Sequence, residues 1–173
     1  MAATDLEIRE ACSETEEADA AELMAAYLEW GADQLREHYG VDDAPADPSD
    51  VKAGLDSYRA PSGRLLVAYS AGRPVGVGAL RQLPDGAAEI KRMYVIPEAR
   101  SLGIGSRLLD RLLESAVETE ATSVRLDTAG FMSEAHGLYR SRGFVERDAY
   151  KGTEIPTHLH EHWLFFERPL ASR

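Results

Sequence analysis

Apolar and polar residues alternate along Leu6-Glu7-Ile8-Arg9-Glu10, which predicts a first β-strand. Ser13 and Glu16 have the spacing of a capping box. Behind them Leu23, Met24, Tyr27 and Leu28 recur at helical spacing. Gly31 is expected to interrupt that helix, with Leu35 to Tyr39 forming a second, short one. Val41 to Ser49 is acidic and holds Pro45 and Pro48, so it reads as a loop. Asp50 to Arg59 returns to a helical pattern.

From Arg64 the pattern changes to strands. Leu65 to Tyr69 and Val75 to Leu83 flank Ala71-Gly72-Arg73-Pro74, which predicts a hairpin. Pro84-Asp85-Gly86 turns the chain into a third strand of this group, Ala87 to Ile96, which Pro97 ends. The most regular stripe follows: Ile104, Leu108, Leu109, Leu112, Leu113, Ala116 and Val117 share a helix face opposite Arg107, Arg111 and Glu114. Ser123 to Asp127 is a short strand. Ser133 is placed to cap a helix from Glu134 to about Arg142, and Gly143 to end it. Phe144 to Tyr150 and His160 to Glu167 read as closing strands. The order β-α-α-β-β-β-α-β-α-β-β implies an α/β (α+β) fold, a central mixed sheet flanked by helices, in a single domain over residues 1–173.

Composition narrows the partners. The formal net charge of −11 argues against nonspecific binding to nucleic acid or an anionic membrane, so neither is expected as a partner. No apolar run reaches the ~18 residues of a membrane span, and Met1-Ala2-Ala3-Thr4-Asp5 has neither the basic nor the apolar region of a signal peptide. Cys12 is the only cysteine, which excludes an intrachain disulfide and fits a reducing, cytoplasmic location. The acidic surface with only three lysines suits a salty cytoplasm, and equally a GC-rich coding sequence with a need for solubility.

Candidate chemistry centres on Arg100-Ser101-Leu102-Gly103-Ile104-Gly105, an R-x-x-G-x-G run between a strand and the helical stripe. A glycine-rich turn that opens a helix aims unpaired N–H groups and the positive end of the helix dipole at one spot, which suits phosphate. A dinucleotide-binding loop would follow the first strand of a βαβ unit, whereas this one follows the fourth.

Three segments in register resemble the GNAT superfamily of acyl-CoA N-acyltransferases: this loop, the strand Glu89-Ile90-Lys91-Arg92-Met93-Tyr94-Val95 before it, and Ala135-x-x-Leu138-Tyr139-x-x-x-Gly143-Phe144 after it. Arg125-Leu126-Asp127-Thr128 is similar to a segment found in one bacterial and archaeal subgroup. Met132 stands where many members carry Asn. The resemblance spans about Leu6 to Leu170. It implies the GNAT-type fold and acetyl transfer from acetyl-CoA, the donor substrate, to a small-molecule amine or a peptide amine. It also implies a possible homodimer.

On that resemblance, Glu89 is the general-base candidate, eleven residues before Arg100; a salt bridge to Lys91 or Arg92 is the other reading. Tyr139 is the general-acid candidate for the leaving thiolate, against a core tyrosine with an ordinary hydrogen bond. The backbones of Met93, Tyr94 and Val95 are expected at a bulge where pantetheine pairs with the strand, with the Met93 N–H on the thioester oxygen. Arg100, Ser101, Leu102, Gly103, Ile104, Gly105 and Ser106 are expected to hold the pyrophosphate, Arg100 through side chain or backbone.

His158, His160 and His162 alternate, so a strand would set them on one face, as acceptor-pocket wall, plain surface or metal ligands. No metal site is expected. Tyr27, Trp30, Tyr39, Tyr58 and Trp163 are candidate acceptor walls or core. Two rival functions stay open: an acyl-CoA-binding module without catalysis, and an acetyltransferase for protein N-termini or lysines.

Overall fold

The computed structural model describes residues 5–171, so the expectation that Met1 to Asp5 is no signal peptide lies, but for Asp5, outside them. In chain order the elements are β1 (Leu6–Glu10), α1 (Glu14–Tyr39), α2 (Val51–Gly54), β2 (Arg64–Ser70), β3 (Arg73–Gln82), β4 (Ala88–Val95), α3 (Ile104–Glu118), β5 (Ser123–Ala129), α4 (Ser133–Ser141), β6 (Val145–Arg147) and β7 (Trp163–Pro169). Short 3-10 segments occupy Pro48–Asp50, Leu55–Tyr58, Pro97–Ala99 and Thr157–His162.

The seven strands form one sheet in the order β1-β2-β3-β4-β5-β7-β6. Alternation along the inner strands sends residues to two cores. Leu66, Leu80, Ile90, Leu126 and Phe166 meet α3 and Tyr139 of α4 on one face. Leu65, Val67, Val77 and Ala79 meet Met24 and Leu28 of α1 on the other. Leu108, Leu109 and Leu112 of α3 are fully buried, each contributing about 1.5–3 kcal/mol of apolar transfer free energy. Close approach of α3 explains Gly78 of β3: a Cβ there would lie 2.9 Å from Leu112 Cδ1. The expected mixed sheet with helices on both faces is therefore what forms.

Two features of β4 position the site. Every neighbouring strand pair is antiparallel except β4–β5, and that parallel pairing consists of Ala88 with Val124 and Glu89 with Arg125 only. Beyond Glu89 the two strands part. On its other edge β4 carries a bulge: Ala79 pairs with Lys91 but Val77 pairs with Tyr94. The extra residue is accommodated at Arg92, whose φ of +57° is left-handed. Such a conformation costs a β-substituted residue of order 1–3 kcal/mol and persists only where surrounding structure enforces it.

Four local expectations are corrected. Gly31 does not break the first helix; α1 runs 26 residues to Gly40, whose φ of +66° ends it. A mid-helix glycine costs about 1 kcal/mol, and both bonds of the Ser13/Glu16 capping box together with the buried Leu23, Met24, Leu28 and Leu35 outweigh that. Ser133 lies inside α4 rather than capping it; Met132 is the N-cap and offers no side-chain bond. The strand expected over Phe144 to Tyr150 shrinks to the three residues of β6. The strand expected from His160 starts at Trp163, because Thr157–His162 winds into a 3-10 segment.

Candidate active site

The parting of β4 from β5 opens a cleft of about 640 Å³. Met93, Tyr94 and Val95 form its β4 wall, and Ala135, Leu138 and Tyr139 of α4 stand opposite. Its rim is the loop from Arg100 into the first turn of α3, including Ser101, Gly103, Ile104, Gly105 and Ser106; Leu102 points away and is exposed. Ser101 and Gly103 have φ of +70° and +73°. Gly103 is the N-cap of α3, supplies no capping side chain, and is followed by a first turn without acidic residues. The first N–H groups of α3 thus lack intrahelical partners, and no acidic side chain of their own turn satisfies them. A Cβ at Gly105 would meet only Leu138 Cδ2, at 3.8 Å, so protein packing does not require glycine there. Arg100 turns back from the loop: its Nε donates to the Val95 carbonyl at 3.1 Å, and its guanidinium lies 5.3 Å from the Trp30 ring.

Tyr139 is buried against Phe144 and Phe166, with ring centroids 6.0 and 6.1 Å away. It lines the large cleft and also an inner cavity of about 60 Å³. Its hydroxyl is not a sealed, partnerless group, so it opens to this space. Burial pushes its pKa up, aided by the neighbouring Tyr27 hydroxyl and the Asp127 charge, which keeps it protonated. Tyr27 of α1 lines the same two spaces, and burial raises its pKa as well.

Behind the inner cavity six charged side chains meet. The Lys91 Nζ lies 3.2 Å from Asp127 Oδ2, 3.3 Å from Glu154 Oε2 and 3.4 Å from Glu89 Oε1. Arg81 reaches Glu89 at 3.1 Å and Glu154 at 3.6 Å; Arg92 reaches Glu154 at 3.2 Å. Burial opposes the Lys91 charge, but Asp127, Glu89 and Glu154 outweigh it and keep the ammonium protonated. Burial likewise opposes the Glu154 charge, and Lys91, Arg92 and Arg81 outweigh it, lowering its pKa. Thr153 Oγ1 and Tyr150 OH donate to Asp127 Oδ2 at 3.3 and 3.5 Å.

Glu89 and Asp127 differ in access. Glu89 is fully buried where β4 and β5 still pair, lines neither cavity, and leaves Oε2 without a partner. Burial raises its pKa against the pull of Lys91 and Arg81. Asp127 lines the inner cavity. Arg92 lines it too, and also an outer cavity of about 290 Å³ formed by α1, α2 and the loop at Pro45–Asp47.

The aromatic candidates divide. Tyr27 and Trp30 wall the large cleft and Tyr58 walls the outer cavity. Tyr39 stacks on His162, with centroids 4.3 Å apart, and Trp163 packs beside a third small core. The histidines do not share a face. Their 3-10 segment turns once in about three residues, so His158 meets Asp43 at 2.9 Å while His160 meets the Ile155 carbonyl at 2.9 Å. Among the described residues no group of three His, Cys, Asp or Glu is disposed to hold a metal ion, and no helix is long and apolar enough to cross a membrane.

A profile of the Acetyltransferase (GNAT) family matches residues 24–144. The chain belongs to the GNAT family. Among its relatives, an IAA acetyltransferase from Azospirillum brasilense is 37% identical over 117 residues, covering 67% of this chain and 74% of the relative. The fold is shared with an acetyltransferase from Streptococcus agalactiae (TM-score 0.74, 20% identity, 96% and 99% of the two chains). It is shared too with Salmonella typhimurium yncA, solved with its cofactor acetyl-CoA (TM-score 0.67, 19% identity, 98% and 96%). This GNAT chain is accordingly an acyltransferase. Sequence reasoning gave Arg92 only as a salt-bridge partner for Glu89, which it is not, passed over Asp127 except as a motif letter, and missed Glu154 altogether. The one local signal available was the charge density of Glu89-Ile90-Lys91-Arg92 in a strand that otherwise reads as core.

Proposed function

We propose that this GNAT acyltransferase moves an acetyl group from acetyl-CoA to a small primary amine by direct attack within a ternary complex. The observation that carries the reading is the parted β4–β5 pair, which leaves one edge of β4 open beside an N–H-rich loop and under the Tyr139 hydroxyl. The pyrophosphate sits on the N–H groups from Ser101 to Ser106, and pantetheine runs along Met93, Tyr94 and Val95 as an added strand would. The Met93 N–H holds the thioester oxygen as it gains charge. The amine nitrogen attacks the carbonyl carbon, the C–N bond forms and the C–S bond breaks. The departing thiolate takes the Tyr139 proton, and the amine's proton leaves through water.

The proton acceptor in this account is the carboxylate set around Lys91. Asp127 is its member at the cavity wall, and Glu89, assigned as base from the resemblance, is its buried member, holding Lys91 in place. The test is thiol release from acetyl-CoA across a panel of small amines, with the acetylated product identified by mass spectrometry. Amine-dependent release with matching product is expected. Tight acetyl-CoA binding with no turnover on small amines, protein N-termini or lysines would instead favour the non-catalytic binding module.

A further inference from the structure

Among the described residues Arg92 is the only side chain that lines both the inner cavity, where Tyr139 and Asp127 stand, and the outer cavity between α1, α2 and the 150–156 loop. Its backbone is held at a left-handed φ of +57° by the bulge. Among the described residues its one hydrogen-bond partner is Glu154, contacted through Nη2. That carboxylate is shared with Lys91 and Arg81. The guanidinium side chain is 17% exposed, and none of its nitrogens is sealed without a partner, so its remaining N–H groups open into the cavities. A guanidinium with an unused fork is suited to a carboxylate, bound bidentately.

The surroundings restrict which carboxylate fits. Asp127 shares the 60 Å³ inner cavity with Arg92, a space for a head group only. Lys91 lines the same cavity and, with Thr153 and Tyr150, takes up Asp127 Oδ2, while among the described residues Asp127 Oδ1 has no partner and is not sealed. One ligand can therefore present an amine to Asp127 Oδ1 and a carboxylate to Arg92 over a short separation. The outer cavity beyond has an apolar wall of Met24, Leu28, Val51 and Tyr58, with Asp47, Asp50, Ser57 and Glu154 also lining it. Of the three carboxylates on its rim, Asp47 caps the turn at Ser49, accepting from its N at 2.8 Å and its Oγ at 2.6 Å, Asp50 is exposed, and Glu154 is paired with Arg81, Lys91 and Arg92.

We propose that the acceptor is a free α-amino acid with a medium-sized apolar side chain. Its carboxylate is bound by Arg92, its amine is presented between Asp127 and the thioester, and its side chain lies in the outer cavity. Arg92 is thus the residue that sets acceptor specificity. The inference rests on the acetyl-transfer reading above and fixes its substrate class.

The test compares kcat/KM for L-methionine, L-leucine and L-phenylalanine with their decarboxylated amines and their methyl esters, in the wild type, Arg92→Gln and Arg92→Lys. The wild type is expected to favour each acid by about 100-fold, the scale of a lost hydrogen-bonded charge. Arg92→Gln is expected to bring the ratio near one, and Arg92→Lys to leave it between. Equal use of amines and acids by the wild type overturns the proposal, even if Arg92→Gln does not fold. So does an Arg92→Gln enzyme, folded by its melting curve, that keeps the ratio. β-Alanine and a dipeptide carrying the same side chains separate the α-amino acid from other carboxylated amines, and their preference over the α-amino acids also overturns it. Turnover of simple amines alone would leave acetyl transfer standing and this assignment fallen; no turnover of any amine would remove both.

Discussion

The two sides of β4 are made of different materials. Toward α3 the site is backbone: the N–H groups of the Arg100–Ser106 loop, glycine at the left-handed Gly103, and the open strand edge from Met93 to Val95. Toward α2 and the 150–156 loop it is side chains: three cations and three carboxylates drawn from β3, β4, β5 and that loop, within 3.1–3.6 Å of one another. Backbone donors suit a ligand part that never varies, since substituting side chains leaves them in place. A charge cluster suits the variable part, because each member can be exchanged to refit an acceptor. On the proposed function the difference also separates binding from chemistry: losses on the first side should appear in donor affinity, and on the second in turnover and acceptor choice.

The sharpest break of that comparison is at the two buried carboxylates. Asp127→Asn is expected to lower kcat/KM by roughly 10²–10⁴-fold, the range of a lost acid–base group, with acetyl-CoA affinity unchanged. Glu89→Gln, one step removed from the cavity, is expected to cost clearly less. Parallel kinetics of the two variants check this, and the reverse order would return the base role to Glu89. Next, Tyr139→Phe is expected to reduce kcat by about 100-fold at unchanged acetyl-CoA Kd. Because its pKa is raised above the ordinary tyrosine value, the wild type should show no alkaline loss of kcat from this group up to pH ~10. Unchanged turnover in the phenylalanine variant would make Tyr139 a core residue.

The smallest effect is a pH dependence of stability. Glu154 has a depressed folded pKa, so its contribution is fully present above the unfolded value of about 4.3 and is lost as pH falls through the lower folded value. Glu154→Gln should therefore melt below the wild type at neutral pH, and the gap should close on acidification below about pH 4. A gap that stays constant down to pH ~2 would show that Glu154 acts by packing alone.

The backbone side was the more legible in the sequence, for a physical reason. Helix and turn signals are local, so the Ile104 to Ala116 stripe and the Gly103 turn could be read within a few residues. Tyr139 was reached through the family resemblance and then proved to open onto both cavities. The charged side was not legible, since Arg81, Lys91 and Asp127 come from three strands and Glu154 joins them from the 150–156 loop, which the Arg81 Nη2 bond to the Gly152 carbonyl at 3.1 Å ties to the sheet. The sequence offered Glu89 a salt bridge to Lys91 as the other reading but not that Glu89 is fully buried. The same blindness to tertiary contacts misread Gly31 as a break and the three histidines as one strand face.

The measurement that tests the central claim most directly is titration of the protein with acetyl-CoA, repeated on Gly105→Glu. The nearest protein atom to a Cβ at that position is 3.8 Å away, so the variant should fold with a near-native melting temperature. The account predicts saturable binding by the wild type and at least a ~100-fold weaker Kd in the variant, about 2.7 kcal/mol of lost phosphate contact. Equal binding by both proteins, or none by the wild type, would contradict it.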